Sequence, residues 1–155
     1  MRLSELIPPS QVRIGLTAKT KREAIEELIS LLPLASGDSA RAATVAAVLD
    51  RESVLSTGIG RGVAVPHGRS PAVPRLMGAF GTAPSGLPFD AVDGEPCRIF
   101  FLLVSPPESA GPHVRALAQV ARVLNQEPTK RALAAARTPE EAVAVFREDE
   151  RREGL

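Results

Sequence analysis

Apolar residues along this chain change their spacing several times, and each change marks an element. Ala24, Ile25, Leu28, Ile29 and Leu32 fall on one helical face. Thr20-Lys-Arg-Glu23 just ahead of them has the form of a capping box, so a helix is predicted from there to about Leu32. Pro33 and Gly37 punctuate a turn. Asp38 then caps a second predicted helix, with Ala42, Val45, Ala46 and Leu49 as its apolar stripe and an end near Asp50-Arg51. After a glycine-rich loop from Ser56 to Gly62, the spacing shortens to β-type runs at 63–65, 76–82 and 98–104. From Ile99 to Val104 the last run is apolar at every position, as a central strand buried on both faces requires. Phe89–Gly94 reads as a turn-rich connection. Gly111-Pro112 opens a third long helix with Val114, Leu117, Ala118, Ala121 and Leu124 as its buried face. Pro128 restarts a short helix, and Thr138-Pro-Glu-Glu141 caps a terminal one, with residues beyond Arg147 expected to fray. At the other end, residues 1–19 form an arm broken at Pro8-Pro9, with an edge strand at Val12–Leu16.

Helices alternating with strands imply an α/β fold: a three-layer α/β/α sandwich with helices on both faces of a central sheet. The sheet is expected to be mixed, because the segment from 67 to 76 is too short for a crossover helix. No repeat, long linker or low-complexity tract divides residues 1–155, so one domain is expected, and 155 residues suffice for a substantial core.

Composition narrows the function classes. Nineteen Lys and Arg against eighteen Asp and Glu leave a formal net charge of +1, which gives no electrostatic case for nucleic acid or an anionic membrane. Five Phe with neither Trp nor Tyr leave few stacking platforms for single strands. One cysteine, Cys97, precludes an internal disulfide and multi-cysteine metal clusters, and its place beside the 99–104 run suits a small buried hydrophobe. That run is far too short for a membrane span, and the N-terminus has no sustained apolar stretch. The expected location is the cytoplasm.

The candidate chemistry centres on Val63-Ala-Val-Pro-His-Gly68. His67, one of two histidines, follows Pro66, which fixes φ and removes a donor, and precedes Gly68, which permits close approach to the backbone. A neutral imidazole is a competent nucleophile toward phosphorus near neutral pH. Phosphoryl transfer then needs little beyond positioning and donors for three oxygens. Arg51 offers a planar fork that matches phosphate oxygens. Gly58, Gly60, Gly62 and Gly68 are the candidate phosphate-binding glycines, the first three offering backbone amides for an anion nest. His113, in the first turn of the Gly111-Pro112 helix, offers another donor beside a helix N-terminus.

Glu52, the Ile59-Gly60 pair and the Val63–Gly68 string together resemble the phosphohistidine signature of the fructose/mannitol-type enzyme IIA proteins of the bacterial phosphotransferase system. The likeness extends through Ser4-Glu-Leu-Ile-Pro-Pro9, Leu49-Asp-Arg-Glu-Ser53, Phe89–Pro96, Phe101–Val104 and Gly111–Ala118, covering about residues 1–147. It implies that His67 takes a phosphoryl group from an HPr/NPr-type phosphocarrier protein, that Arg51 stabilises it and that His113 assists. No metal or organic cofactor is implied. The Leu-Ser-Glu-Leu-Ile-Pro-Pro start, Ser56–Gly60 and His67-Gly-Arg69 place the chain nearest the nitrogen-regulatory type, whose phosphorylation state controls partner proteins. A sugar-specific IIA passing phosphate to a IIB domain and a non-transferring interaction module are the alternatives. Ser105-Pro-Pro-Glu108 departs from the family, which more often has proline directly after the strand.

Several of these residues also suit plainer roles. Arg51 suits a helix C-terminal cation, and the glycine run a tight turn. Arg61 and Arg69 suit surface charges able to steer an acidic partner. Asp90 and Asp93 suit turn formers rather than acid/base catalysts. A zinc site on His67 and His113 lacks the spacing to supply further ligands.

Overall fold

Residues 1–34 and 37–155 are described by the computed structural model, and a mixed sheet of six strands organises them. Its spine is the apolar run, β6 (Cys97–Ser105). On one side β6 pairs antiparallel with β5 (Met77–Leu87), and on the other parallel with β3 (Val63–Ala64) and β4 (His67–Arg69). β1 (Val12–Arg13) adds parallel to the outer edge of β5, and β2 (Gly58–Gly60) antiparallel to the outer edge of β3. The mixed sheet and the edge strand near Val12 are as the sequence predicts.

β6 is apolar from Ile99 to Val104 because both of its faces are covered there. Phe100, Leu102 and Val104 join one core with Ala24, Ile25, Leu28 and Ile29 of α1 (Lys21–Ile29) and Val48 of α2 (Gly37–Val54). Ile99, Phe101 and Leu103 join the opposite core. That second core is built by α3 (Ala110–Leu124), α4 (Glu127–Ala135) and α5 (Pro139–Arg152). Phe80, Phe101 and Phe146 meet edge to face there, with centroids 5.4 to 6.2 Å apart. Such pairs add roughly 0.5–1.5 kcal/mol each beyond burial. No helix among the described residues is long and apolar enough to cross a membrane.

The capping signals act where the sequence places them. Thr20 Oγ1 accepts from Glu23 N at 3.1 Å, and Thr138 Oγ1 from Glu141 N at 3.1 Å. Part of the turn expected between Pro33 and Gly37 lies at residues 35 and 36, outside the described residues. Gly37 already belongs to α2, so Asp38 sits in the first helical turn instead of capping it.

Four expectations are corrected. α2 runs on to Val54 rather than ending at Asp50-Arg51, because polar side chains hold its last turn: Arg51 Nη1 donates to Leu55 O and Ser53 Oγ to Asp50 O. Its buried line is Thr44, Val48 and Glu52, with Val45 and Leu49 alongside, while Ala42 and Ala46 are exposed. In α3 the stripe is turned as well: Ala116, Val120, Val123 and Leu124 face the core, and Val114 is 64 % exposed. Alanine-rich helices allow neighbouring stripes that periodicity alone cannot separate. The end of the chain is not frayed at Arg147, since α5 continues to Arg152. Asp149 accepts from Arg122 at 2.9 Å, and buried Glu150 accepts from Ser4 N and Oγ at 2.9 and 2.7 Å, tying the N-terminal arm to the last helix.

Candidate functional site

Pro66 makes the break that positions His67. The register of β3 against β6 carries on into β4, with Val63 facing Ile99 and His67 facing Leu103. Pro66 has no N–H for the ladder, but its carbonyl accepts from Leu103 N at 3.0 Å. His67 therefore opens a second short strand instead of lying past the end of the first. Gly68 beside it is packed under α2: a Cβ there would lie 3.1 to 3.2 Å from the backbone of Ala47 and Val48. The close approach that Gly68 permits is thus to a helix.

The half-buried ring of His67 has Nδ1 at 2.8 Å from Val65 O. A carbonyl only accepts, so Nδ1 carries the proton and Nε2 keeps the lone pair. Burial and the nearby Arg51 cation lower the His67 pKa from 6.5, which keeps the ring neutral at neutral pH, while the Val65 bond and Glu52 oppose that shift.

α3 brings His113 to the same place, with ring centroids 5.6 Å apart and planes tilted by 57°. His113 is only 5 % exposed, and its Nδ1 lies 2.7 Å from Ser105 Oγ at the end of β6. Burial first, then the charges of His67 and Arg69, push its pKa from 6.5 down to about 4. The unfolded chain protonates this histidine below about 6.5, whereas the folded one resists until about 4. The stability involved is complete above 6.5 and is lost as pH falls toward 4. We expect unfolding free energy to drop by roughly 3 kcal/mol across that window from this group. His113→Gln should flatten this part of the profile in chemical denaturation at stepped pH. Equal slopes for the two proteins would contradict it.

Arg51 comes from the last turns of α2, and one of its terminal nitrogens bonds Leu55 O at 2.8 Å. It caps its own helix, and it also lines the cleft with His67 and His113. That open cleft of about 700 Å³ is further lined by Arg69, Gly68, Val114 and Leu117, with no carboxylate among its walls. Two guanidiniums and two neutral imidazoles around one hollow suit a phosphoryl dianion. Among the described residues no group of three or more His, Cys, Asp or Glu converges as a metal site requires.

The glycine run divides. Gly58 lines an apolar groove of about 410 Å³ that shares Arg51 and His67 with the cleft. Gly60 and Gly62 turn away in the β2–β3 hairpin, where both have positive φ and lie against Asp93 and Pro96–Arg98 respectively. Two amides at the start of this loop are already engaged, Thr57 N by Glu52 and Gly58 N by Ser56 Oγ. An anion nest built from all three glycines is therefore not what this loop forms. Asp93 accepts from Arg61 N and Glu95 N, and Asp90 pairs with Lys21 at 3.2 Å, so both serve the turn.

Two supporting groups have partners that the sequence spacing does not show. Buried Glu52 takes Thr57 N at 3.0 Å, Thr57 Oγ1 at 2.6 Å and Lys21 Nζ at 3.1 Å, holding the loop after α2 against α1. Ser105 meets His113 only because β6 and α3 converge there. Glu52 heads the motif and Ser105 ends an apolar run, which is the signal each offers.

Comparison with known proteins places this geometry in company. The family model described as phosphoenolpyruvate-dependent sugar phosphotransferase system, EIIA 2, matches residues 5–149. A nitrogen regulatory protein of Bradyrhizobium diazoefficiens is 30% identical over 146 residues, covering 94% of this chain and 95% of the relative. A fructose-specific EIIA component of Haloferax volcanii is also 30% identical, with the same coverage. The crystal structure of nitrogen regulatory protein IIA-Ntr from Neisseria meningitidis superposes with a TM-score of 0.85 at 32% identity, covering 92% of this chain and 97% of that one.

Proposed function

The chain belongs to the EIIA type 2 family of the phosphoenolpyruvate-dependent sugar phosphotransferase system, and from that premise we propose a cytoplasmic phosphocarrier that takes a phosphoryl group on His67 Nε2 from an HPr-type donor and serves as a nitrogen-regulatory enzyme IIA. The observation that carries this reading is the Nδ1–H of His67 held on Val65 O at 2.8 Å. It leaves the Nε2 lone pair for a cleft whose charged side chains are Arg51 and Arg69.

Nε2 attacks phosphorus as the P–N bond to the donor imidazole breaks, and that bond's electron pair returns to the donor ring. No proton has to move on His67. The ring keeps its Nδ1 proton and gains positive charge, which Val65 O stabilises by accepting from Nδ1 and the negative phosphoryl oxygens offset. Arg51 and Arg69 face the equatorial oxygens, where positioned cations act most strongly. Leu55 at 66 % exposure, Val92 at 72 % and Val114 rim the cleft and its neighbouring groove with apolar surface. An apolar rim around a cationic centre suits a partner that brings one anionic group on an apolar face.

The likeness to two nitrogen-regulatory proteins and the His67-Gly-Arg69 run support the regulatory role. The equal identity to a fructose-specific component keeps sugar transport as the second reading. A reconstituted relay separates them: phosphorylated protein is mixed with isolated fructose- and mannitol-type IIB domains and followed by intact mass. Retention of the phosphoryl group is the expected result. Rapid transfer to a IIB domain identifies a sugar-specific IIA instead.

A further inference from the structure

His113 reaches the cleft from a helix, and what orients it is a hydroxyl at the end of the central strand. Ser105 is fully buried, and its Oγ lies 2.7 Å from His113 Nδ1. Two hydrogen placements fit that distance. If Nδ1 carries the proton and donates to Oγ, the serine hydroxyl hydrogen must find another acceptor, and among the described residues Oγ has no second partner. A stranded hydroxyl hydrogen inside a core is costly. If the hydroxyl donates to an unprotonated Nδ1, both groups are satisfied by the one contact. The second placement puts the proton on Nε2.

We propose that Ser105 is a positioning residue that holds His113 as the Nε2–H tautomer, so that a neutral N–H donor faces the phosphoryl group on His67. The two rings then carry opposite tautomers for opposite tasks. Val65 O draws the proton of His67 to Nδ1 and frees Nε2 as nucleophile. Ser105 Oγ–H occupies Nδ1 of His113 and leaves Nε2–H as donor. The two rings lie with centroids 5.6 Å apart, and both line the same open cleft. The backbone of Ser105 is itself fixed, since its carbonyl accepts from Ser70 N at 2.9 Å and the residue pairs with Arg69 across the ladder. The hydroxyl is thus aimed by the sheet. Because burial keeps His113 neutral until about pH 4, the donor neither gains nor loses charge in the working range.

The inference rests on the phosphocarrier reading, and its test separates the two. Ring 15N shifts of the unphosphorylated wild type should report His113 with an unprotonated Nδ1 and a protonated Nε2. Ser105→Ala should turn this into a tautomer mixture. It should also slow phosphoryl uptake from an HPr-type donor by about tenfold through kcat, with KM for the donor little changed. Ser105→Thr, which restores the hydroxyl, should recover both the single tautomer and the rate. A wild-type His113 protonated on Nδ1, or a Ser105→Ala protein of undiminished rate, overturns the assignment to Ser105. A wild type that accepts no phosphoryl group overturns the phosphocarrier reading, and with it the task given to the N–H, whatever tautomer the shifts report.

Discussion

His67→Ala is expected to abolish phosphoryl uptake entirely while leaving the fold in place. The side chain is half-buried, and its one hydrogen bond goes to Val65, two residues back. The strand itself is held by backbone pairing to Leu103 and Val104, which alanine preserves. Thermal unfolding should therefore shift by only a few degrees, about what a change near 1 kcal/mol produces. His113, the remaining histidine, cannot substitute as acceptor. It is 5 % exposed, its Nδ1 is engaged by Ser105, and burial disfavours the charged ring that phosphorylation would create. Intact mass after incubation with a phosphorylated carrier is the check. A labelled His67→Ala protein would move the acceptor elsewhere.

Arg51→Ala is expected to slow uptake by about 10²–10³-fold, the loss typical of removing one preorganised charge donor from a transition state. Two secondary effects identify the mechanism. The His67 pKa should rise toward 6.5, because the Arg51 cation is one of the influences that depress it. Stability should fall by about 1 kcal/mol, since the bond from Nη1 to Leu55 O is lost. Arg51→Lys should recover part of the rate through its charge but not all, lacking the planar fork. Single-turnover quench kinetics report the rate and an NMR titration the pKa. An unchanged rate in Arg51→Ala would remove Arg51 from the mechanism and leave it as a helix cap.

The central strand was readable from sequence because burial on both sides left Ile99–Val104 no polar position, and few other environments produce such a run. The capping pairs Thr20–Glu23 and Thr138–Glu141 were readable because their chemistry is local. The faces of α2 and α3 were not. Alanine fits core and surface alike, so Ala42, Ala46, Ala118 and Ala121 looked apolar without being inside. On α3, Val114 is exposed and Leu117 packs only partly against the core, and both wall the cleft beside the histidines. For the site, motif spacing pointed to His67, Arg51 and His113, and the fold brings them around one hollow. Spacing could not show that the Thr57 and Gly58 amides are consumed by Glu52 and Ser56, nor that Ser105 meets a helix. Those facts depend on how β6, α2 and α3 converge, which no local pattern encodes.

The most direct measurement is intact mass after incubating the protein with phosphoenolpyruvate, enzyme I and an HPr-type carrier. A gain of one phosphoryl group is expected, lost on mild acid treatment as a phosphoramidate is. No gain with any carrier would contradict the phosphocarrier reading and leave a protein that keeps the fold and the cleft without the transfer.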